Sequence, residues 1–111
     1  MVSIVVKRDF ASRFCGFTCS GHADYSDKGI DIVCSGISAL TQTTVLALDR
    51  IVGLDIRVEA DPETGFLDCE WSPDRSSKQN QADLLMKTMQ LGLTEIQKLY
   101  PTNLKLREVE V

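Results

Sequence analysis

The sequence lacks an excess of positive charge, a long uninterrupted apolar run, a C-x-x-C pair, a glycine-rich phosphate loop, an internal repeat and a linker. It holds one histidine. Each absence excludes something. Its 12 basic against 16 acidic residues, net −4, argue against direct nucleic-acid binding, which draws its affinity from Lys and Arg neutralising phosphates. An acidic balance suits a basic partner instead, such as a Lys/Arg-rich peptide. No apolar run approaches the ~20 residues of a bilayer span, so no membrane contact is expected. The apolar part of the N-terminus is too short for a secretory signal, and its charges, Lys7 and Arg8, follow rather than precede it. A cytoplasmic location is expected, with Cys15, Cys19, Cys34 and Cys69 as reduced thiols. Composition is otherwise that of a globular protein, 43% apolar and 25% charged in 111 residues, which fits a single domain over 1–111.

Residues 3–8 and 14–20 read as two strands joined as a hairpin through the charged stretch at 8–13. On the second, Cys15, Phe17 and Cys19 are expected to share one face by the period of two. A polar loop follows from Gly21 to Gly29, glycine at both ends. Asp31 reads as the N-cap of a first helix. Val33, Ile37, Leu40, Thr44, Leu48, Ile51 and Val52 then keep a helical period, and Gly53 is a stop. Residues 56–60 and 66–71 read as a hairpin around the turn residues of 61–65. A second helix is expected over about 80–100, with Ala82, Leu85, Met86, Met89, Leu93, Ile96 and Tyr100 on one stripe and Pro101 ending it. Residues 104–111 read as a last strand. The order ββαββαβ gives an α/β (α+β) domain: a mostly antiparallel five-stranded sheet with two helices. Leu84 and Leu91 fall off the second helix's main stripe, which points either to a homodimer contact or to partial burial within one chain.

Cys34 falls near the expected start of the first helix, and His22 lies on the loop leading into it. A thiolate is the reactive form of cysteine, and both a helix N-terminus and a neighbouring imidazole favour it. The same imidazole can later protonate a leaving amine. Asp31 either caps the helix or holds the imidazole of His22 in one tautomer, two roles that compete. Ser38, one turn beyond Cys34, either serves the site or bonds back to its own helix. Cys34 as a small buried hydrophobe and His22 as an idle loop residue are the plain alternatives. Zinc held by Cys15, Cys19, His22 and Cys34 is a competitor, disfavoured because Cys15 and Cys19 would stand ~13 Å apart on an extended strand. A thiol redox role lacks a clear resolving cysteine.

Gly21-His22-Ala23, then Gly29, then the run from Asp31 through Ile32, Val33 and Cys34 to Ser38 and Ala39 resembles the Prp family of bacterial ribosomal-processing cysteine proteases. Its pattern is a GHA triplet, a short flexible loop and a DIVC helix start followed by small residues and a serine. The layout, the length and the continuation 39–44 agree; Ser35 stands where the family often has alanine. The resemblance implies a homodimeric cytoplasmic peptidase without cofactor or metal. Cys34 would be the nucleophile, His22 the base and acid, Asp31 and Ser38 supporting residues, and Gly21 to Gly29 a substrate loop. Backbone N–H groups at the helix start are expected to hold the oxyanion. The implied substrate is the short N-terminal extension of large ribosomal subunit protein twenty-seven, cut next to an aromatic residue. The alternative is a non-catalytic zinc-binding or ribosome-associated interaction protein.

Overall fold

β-branched Val2, Ile4 and Val6 alternate with more polar residues along the first strand, and that alternation decides which face of the sheet is dry. The structure, a computed structural model, describes residues 1–21 and 28–111, with 28–31 described as backbone only. Strand β1 (Val2–Arg8) and strand β2 (Phe14–Ser20) form an antiparallel hairpin. Helix α1 (Lys28–Ala47) runs on into a π-helical turn, Leu48–Val52, closed by left-handed Gly53. Strands β3 (Arg57–Asp61) and β4 (Phe66–Glu70) form the second hairpin, then come α2 (Ser77–Leu99) and β5 (Leu104–Glu110). The sheet order is β3-β4-β2-β1-β5. Only β5 pairs in parallel, with β1. The sheet is mostly antiparallel, as the order ββαββαβ implies, and the β1–β5 pair makes it mixed.

One face of the sheet carries the core. Ile4, Val6, Phe17, Cys19, Cys69 and Leu104 meet Val33, Ile37 and Leu48 from the first helical run and Ala82, Met86, Met89 and Leu93 from α2. The opposite face is charged: Lys7 reaches Asp68 at 3.1 Å and Arg57 reaches Glu70 at 3.0 Å. The stretch Ile32–Val52 has a mean hydropathy of 1.3, enough by length and composition alone to cross a bilayer. The sequence shows no continuous apolar run there because Ser, Thr and Gln interrupt it. Val33, Ile37 and Leu48 spend its apolar side on the core instead.

Three sequence expectations are corrected. The first helix starts at Lys28, three residues before the expected cap, so Asp31 lies inside it and Gly29 is helical rather than the end of a loop. Ile30 extends the apolar period backwards, and one glycine in a first turn costs only about 1 kcal/mol. Second, Cys15 does not share the face of Phe17 and Cys19. Lys7 pairs with Gly16 but Arg8 pairs with Phe14, so Cys15 is an extra residue in a β-bulge. The bulge reverses the in-out parity beyond it. Phe14 is thereby fully buried in the core, and the Cys15 thiol donates to the Lys7 carbonyl at 3.5 Å. Third, α2 starts at Ser77, capped by Ser76, whose hydroxyl accepts the Gln79 N–H at 3.3 Å.

The bulge leaves backbone groups that need partners, and α2 supplies them. Gln79, 1% exposed, donates its amide to the Phe14 carbonyl at 2.8 Å and accepts the Trp71 indole N–H at 3.1 Å. Asp83 accepts both the Phe14 N–H at 3.1 Å and the Gln79 amide at 2.9 Å. Leu84 and Leu91 are each 66% exposed, so burial within one chain does not account for them.

Candidate active site

The chain leaves β2 through Gly21 with φ +90°, a conformation that costs any L side chain. A Cβ at this position would lie 2.5 Å from the Met1 carbonyl oxygen. Glycine is therefore required twice over, and it fixes the direction in which the chain departs toward His22. Gly21→Ala is expected to destabilise the fold by about 2 kcal/mol or more. Thermal unfolding checks this, with an unchanged Tm as the contrary result.

Beside Gly21 opens a cavity of about 280 Å³. Cys34, Ser38 and Gln42, every fourth residue of α1, line one side of it. Cys19 and Val2 contribute from the sheet, and the β3–β4 hairpin closes the opposite side with Asp61 and Phe66. The wall is mainly apolar with a few polar groups, the usual make-up of a ligand cleft.

The four thiols differ by environment. Burial pushes the Cys69 thiol up to about 12, helped by the charges of Asp68 and Glu70. Burial pushes Cys19 up to about 11, and the proximity of Cys34 adds to it. Cys15 is raised as well, by burial and then by Asp9. These three stay protonated at neutral pH and are poor nucleophiles. Cys34 is the half-buried one, seated against the core yet open to the cavity.

Ser38 does not take the helix back-bond that its position allows. Thr41 and Thr44 do, donating to the carbonyls of Ile37 at 2.8 Å and Leu40 at 2.7 Å. Among the described residues, the Ser38 hydroxyl has no hydrogen-bond partner, and it is exposed on the cavity wall one turn from Cys34. Because α1 begins at Lys28, Cys34 is well past the first turn, and its N–H falls within the helical ladder rather than among the free N–H groups of the start. The expected oxyanion donors at the helix start do not lie at this sulfur.

His22 lies outside the described residues, as does the Asp31 side chain. The structure places Gly21, His22's neighbour in the chain, on the cavity that Cys34 also lines. Among the described residues no group of His, Cys, Asp and Glu is placed to hold a metal ion. Cys15 in particular is bonded to Lys7 and does not line the cavity with Cys19 and Cys34. Sequence reasoning missed Gln42, Asp61 and Phe66 as site residues. Only the four-residue spacing from Cys34 through Ser38 to Gln42 signals any of them.

A small α+β domain that buries three thiols and leaves a fourth half-buried on an open cleft suits covalent cysteine chemistry. Residues 1–105 match the family described as Cysteine protease Prp, and the chain belongs to that family. It is a cysteine protease, a peptide hydrolase. It is 27% identical over 107 residues to the ribosomal processing cysteine protease Prp of Bacillus subtilis, covering 95% of each chain. To the Staphylococcus aureus protein of the same name it is 26% identical over 106 residues, covering 96% of this chain and 97% of that one. The fold superposes on the S. aureus protease solved with a substrate peptide with a TM-score of 0.85 at 23% identity, covering 98% of this chain and 100% of that one. SMU.848 from Streptococcus mutans gives a TM-score of 0.86 at 22% identity, covering 100% and 96%.

Proposed function

We propose that the protein removes the short N-terminal extension of large ribosomal subunit protein twenty-seven through a Cys34–His22 pair. The observation that carries this is the half-buried Cys34 opening on a cavity whose edge is Gly21, the residue before the chain's sole histidine. His22 takes the Cys34 proton, and the sulfur attacks the scissile carbonyl to form a tetrahedral intermediate. His22 returns the proton to the departing amine, leaving a thioester. Water, deprotonated by His22, hydrolyses the thioester and frees Cys34. The relatives support the substrate: those from B. subtilis and S. aureus are named ribosomal processing proteases. S. aureus Prp has also been solved with a covalently linked product peptide. The net charge of −4 favours a basic substrate.

Ser38 takes the role that the helix start does not fill. Its hydroxyl, without a hydrogen-bond partner among the described residues and one turn from the sulfur, donates to the oxyanion. Ser38→Ala is expected to lower kcat ~10²-fold, the usual effect of losing one such donor. A rise confined to KM, or no change, contradicts that role.

The working form is a homodimer through the outer face of α2, where Leu84 and Leu91 stand exposed. The location is the cytoplasm, where the free Cys15, Cys19, Cys34 and Cys69 stay reduced. The test of the whole reading is cleavage of a synthetic peptide spanning the extension junction. Specific cutting at that junction by the wild-type protein supports it; none by the folded protein overturns it.

A further inference from the structure

Cys19 is a nucleophilic group that peptide cleavage does not use. The sequence offers no resolving cysteine at short spacing, yet the fold brings one to Cys34 from a different element. Cys19 on β2 and Cys34 on α1 line the same cavity. Cys34 also packs against the core cluster to which Cys19 belongs. Neither of the other two cysteines lines that cavity. We propose that Cys19 and Cys34 are a paired redox-modification site: a peroxide oxidises Cys34, and Cys19 traps the product as a reversible intramolecular disulfide.

The chemistry balances in two steps. Hydrogen peroxide transfers one oxygen to the Cys34 sulfur, giving the sulfenic acid and water; sulfur is oxidised and the O–O bond breaks. The Cys19 sulfur then attacks the Cys34 sulfur. The S–S bond forms, the S–O bond breaks, and the Cys19 proton leaves with the hydroxyl as a second water. A dithiol reductant restores both thiols by exchange.

The two environments assign the roles. Cys34 is half-buried and reached through the cavity, so it meets the oxidant first. Cys19 is 7% exposed and shielded by the sheet, so it meets Cys34 rather than solvent. Burial also keeps Cys19 protonated at rest, with Cys34 nearby reinforcing that state, so it does not compete for peptide carbonyls. The disulfide holds the nucleophile in a recoverable form and spares it the irreversible step to sulfinic acid.

The test is a peptide map of the reduced wild-type protein and its variants after a few molar equivalents of hydrogen peroxide, and it needs no substrate. Trypsin cuts after Arg13, Lys28 and Arg50, so residues 14–28, with Cys15 and Cys19, separate from 29–50, with Cys34. The expected result is a cross-linked pair of these two peptides, with fragmentation assigning the bond to Cys19, and its loss on treatment with dithiothreitol. Cys15→Ala is expected to give the same cross-link. Cys19→Ala is expected to lose it and to accumulate Cys34 sulfinic acid that dithiothreitol does not reverse. A bond from Cys34 to Cys15, a bond between two chains, or wild-type Cys34 passing to sulfinic acid without any cross-link overturns the proposal. If Cys19→Ala does not fold, the wild-type map decides alone.

Discussion

Cys34→Ala is expected to lower cleavage of a junction peptide by at least about 10³-fold while leaving thermal stability nearly unchanged. The two halves of that result rest on different observations. The activity loss follows from removing the sulfur that would form the acyl-enzyme, after which only binding and polar stabilisation remain. The retained stability follows from position: Cys34 is half-buried at a cavity, so its sulfur leaves little new void, and the cost should stay below about 1 kcal/mol. His22→Ala is expected to match the activity loss, because it removes the group proposed to take the thiol proton and return it to the leaving amine. Single-turnover assays beside Tm measurements distinguish this from unfolding. Sustained turnover by Cys34→Ala rules out the thioester route.

The second large effect falls on stability. Gln79→Ala is expected to cost about 3–5 kcal/mol. Among the described residues Gln79 is the one partner of the Trp71 indole N–H, and at 1% exposure it is closed off from solvent. Its removal strips the indole and the Phe14 carbonyl of these bonds together, at roughly 1–3 kcal/mol for each buried group left unpaired, with the side-chain void added. That is a large share of the ~5–15 kcal/mol that holds a domain together. Lys78→Ala next door is the control, since its ammonium reaches the Gly53 carbonyl from solvent and should matter by under about 0.5 kcal/mol. Denaturant unfolding of both variants checks the contrast; equal midpoints contradict it. Gln79 does not line the cavity, so the folded fraction of Gln79→Ala should keep wild-type kcat.

Local rules reached much of this fold. The period of 3.6 identifies Ala82, Met86, Met89 and Leu93 as the buried side of α2, and Gly53 as the stop after the first helical run. Strand β2 has the expected bounds because its flanks, Arg13 and Gly21, differ sharply from its interior. The bulge at Cys15 was not legible, since one extra residue leaves composition intact while reversing parity. Nor was the parallel partner of β1: pattern shows that β5 is a strand but not which edge it joins. The start of α1 was misread because Asp31 satisfies the rule for a cap while Ile30 continues the helix behind it. At the site, Cys34 and Ser38 were legible from spacing on one helix. Cys19, Asp61 and Phe66 reach the cavity only through sheet order and helix docking, which no local window contains.

The parallel pairing of β1 with β5 sets an order of assembly. The first strand's outer neighbour follows every other strand and both helices in the chain. Until residues 104–110 arrive, Val2, Ile4 and Val6 stand on an open edge of β-branched residues, the kind of template that recruits other chains. A chain deprived of residues 104–110 would therefore clump as it folds.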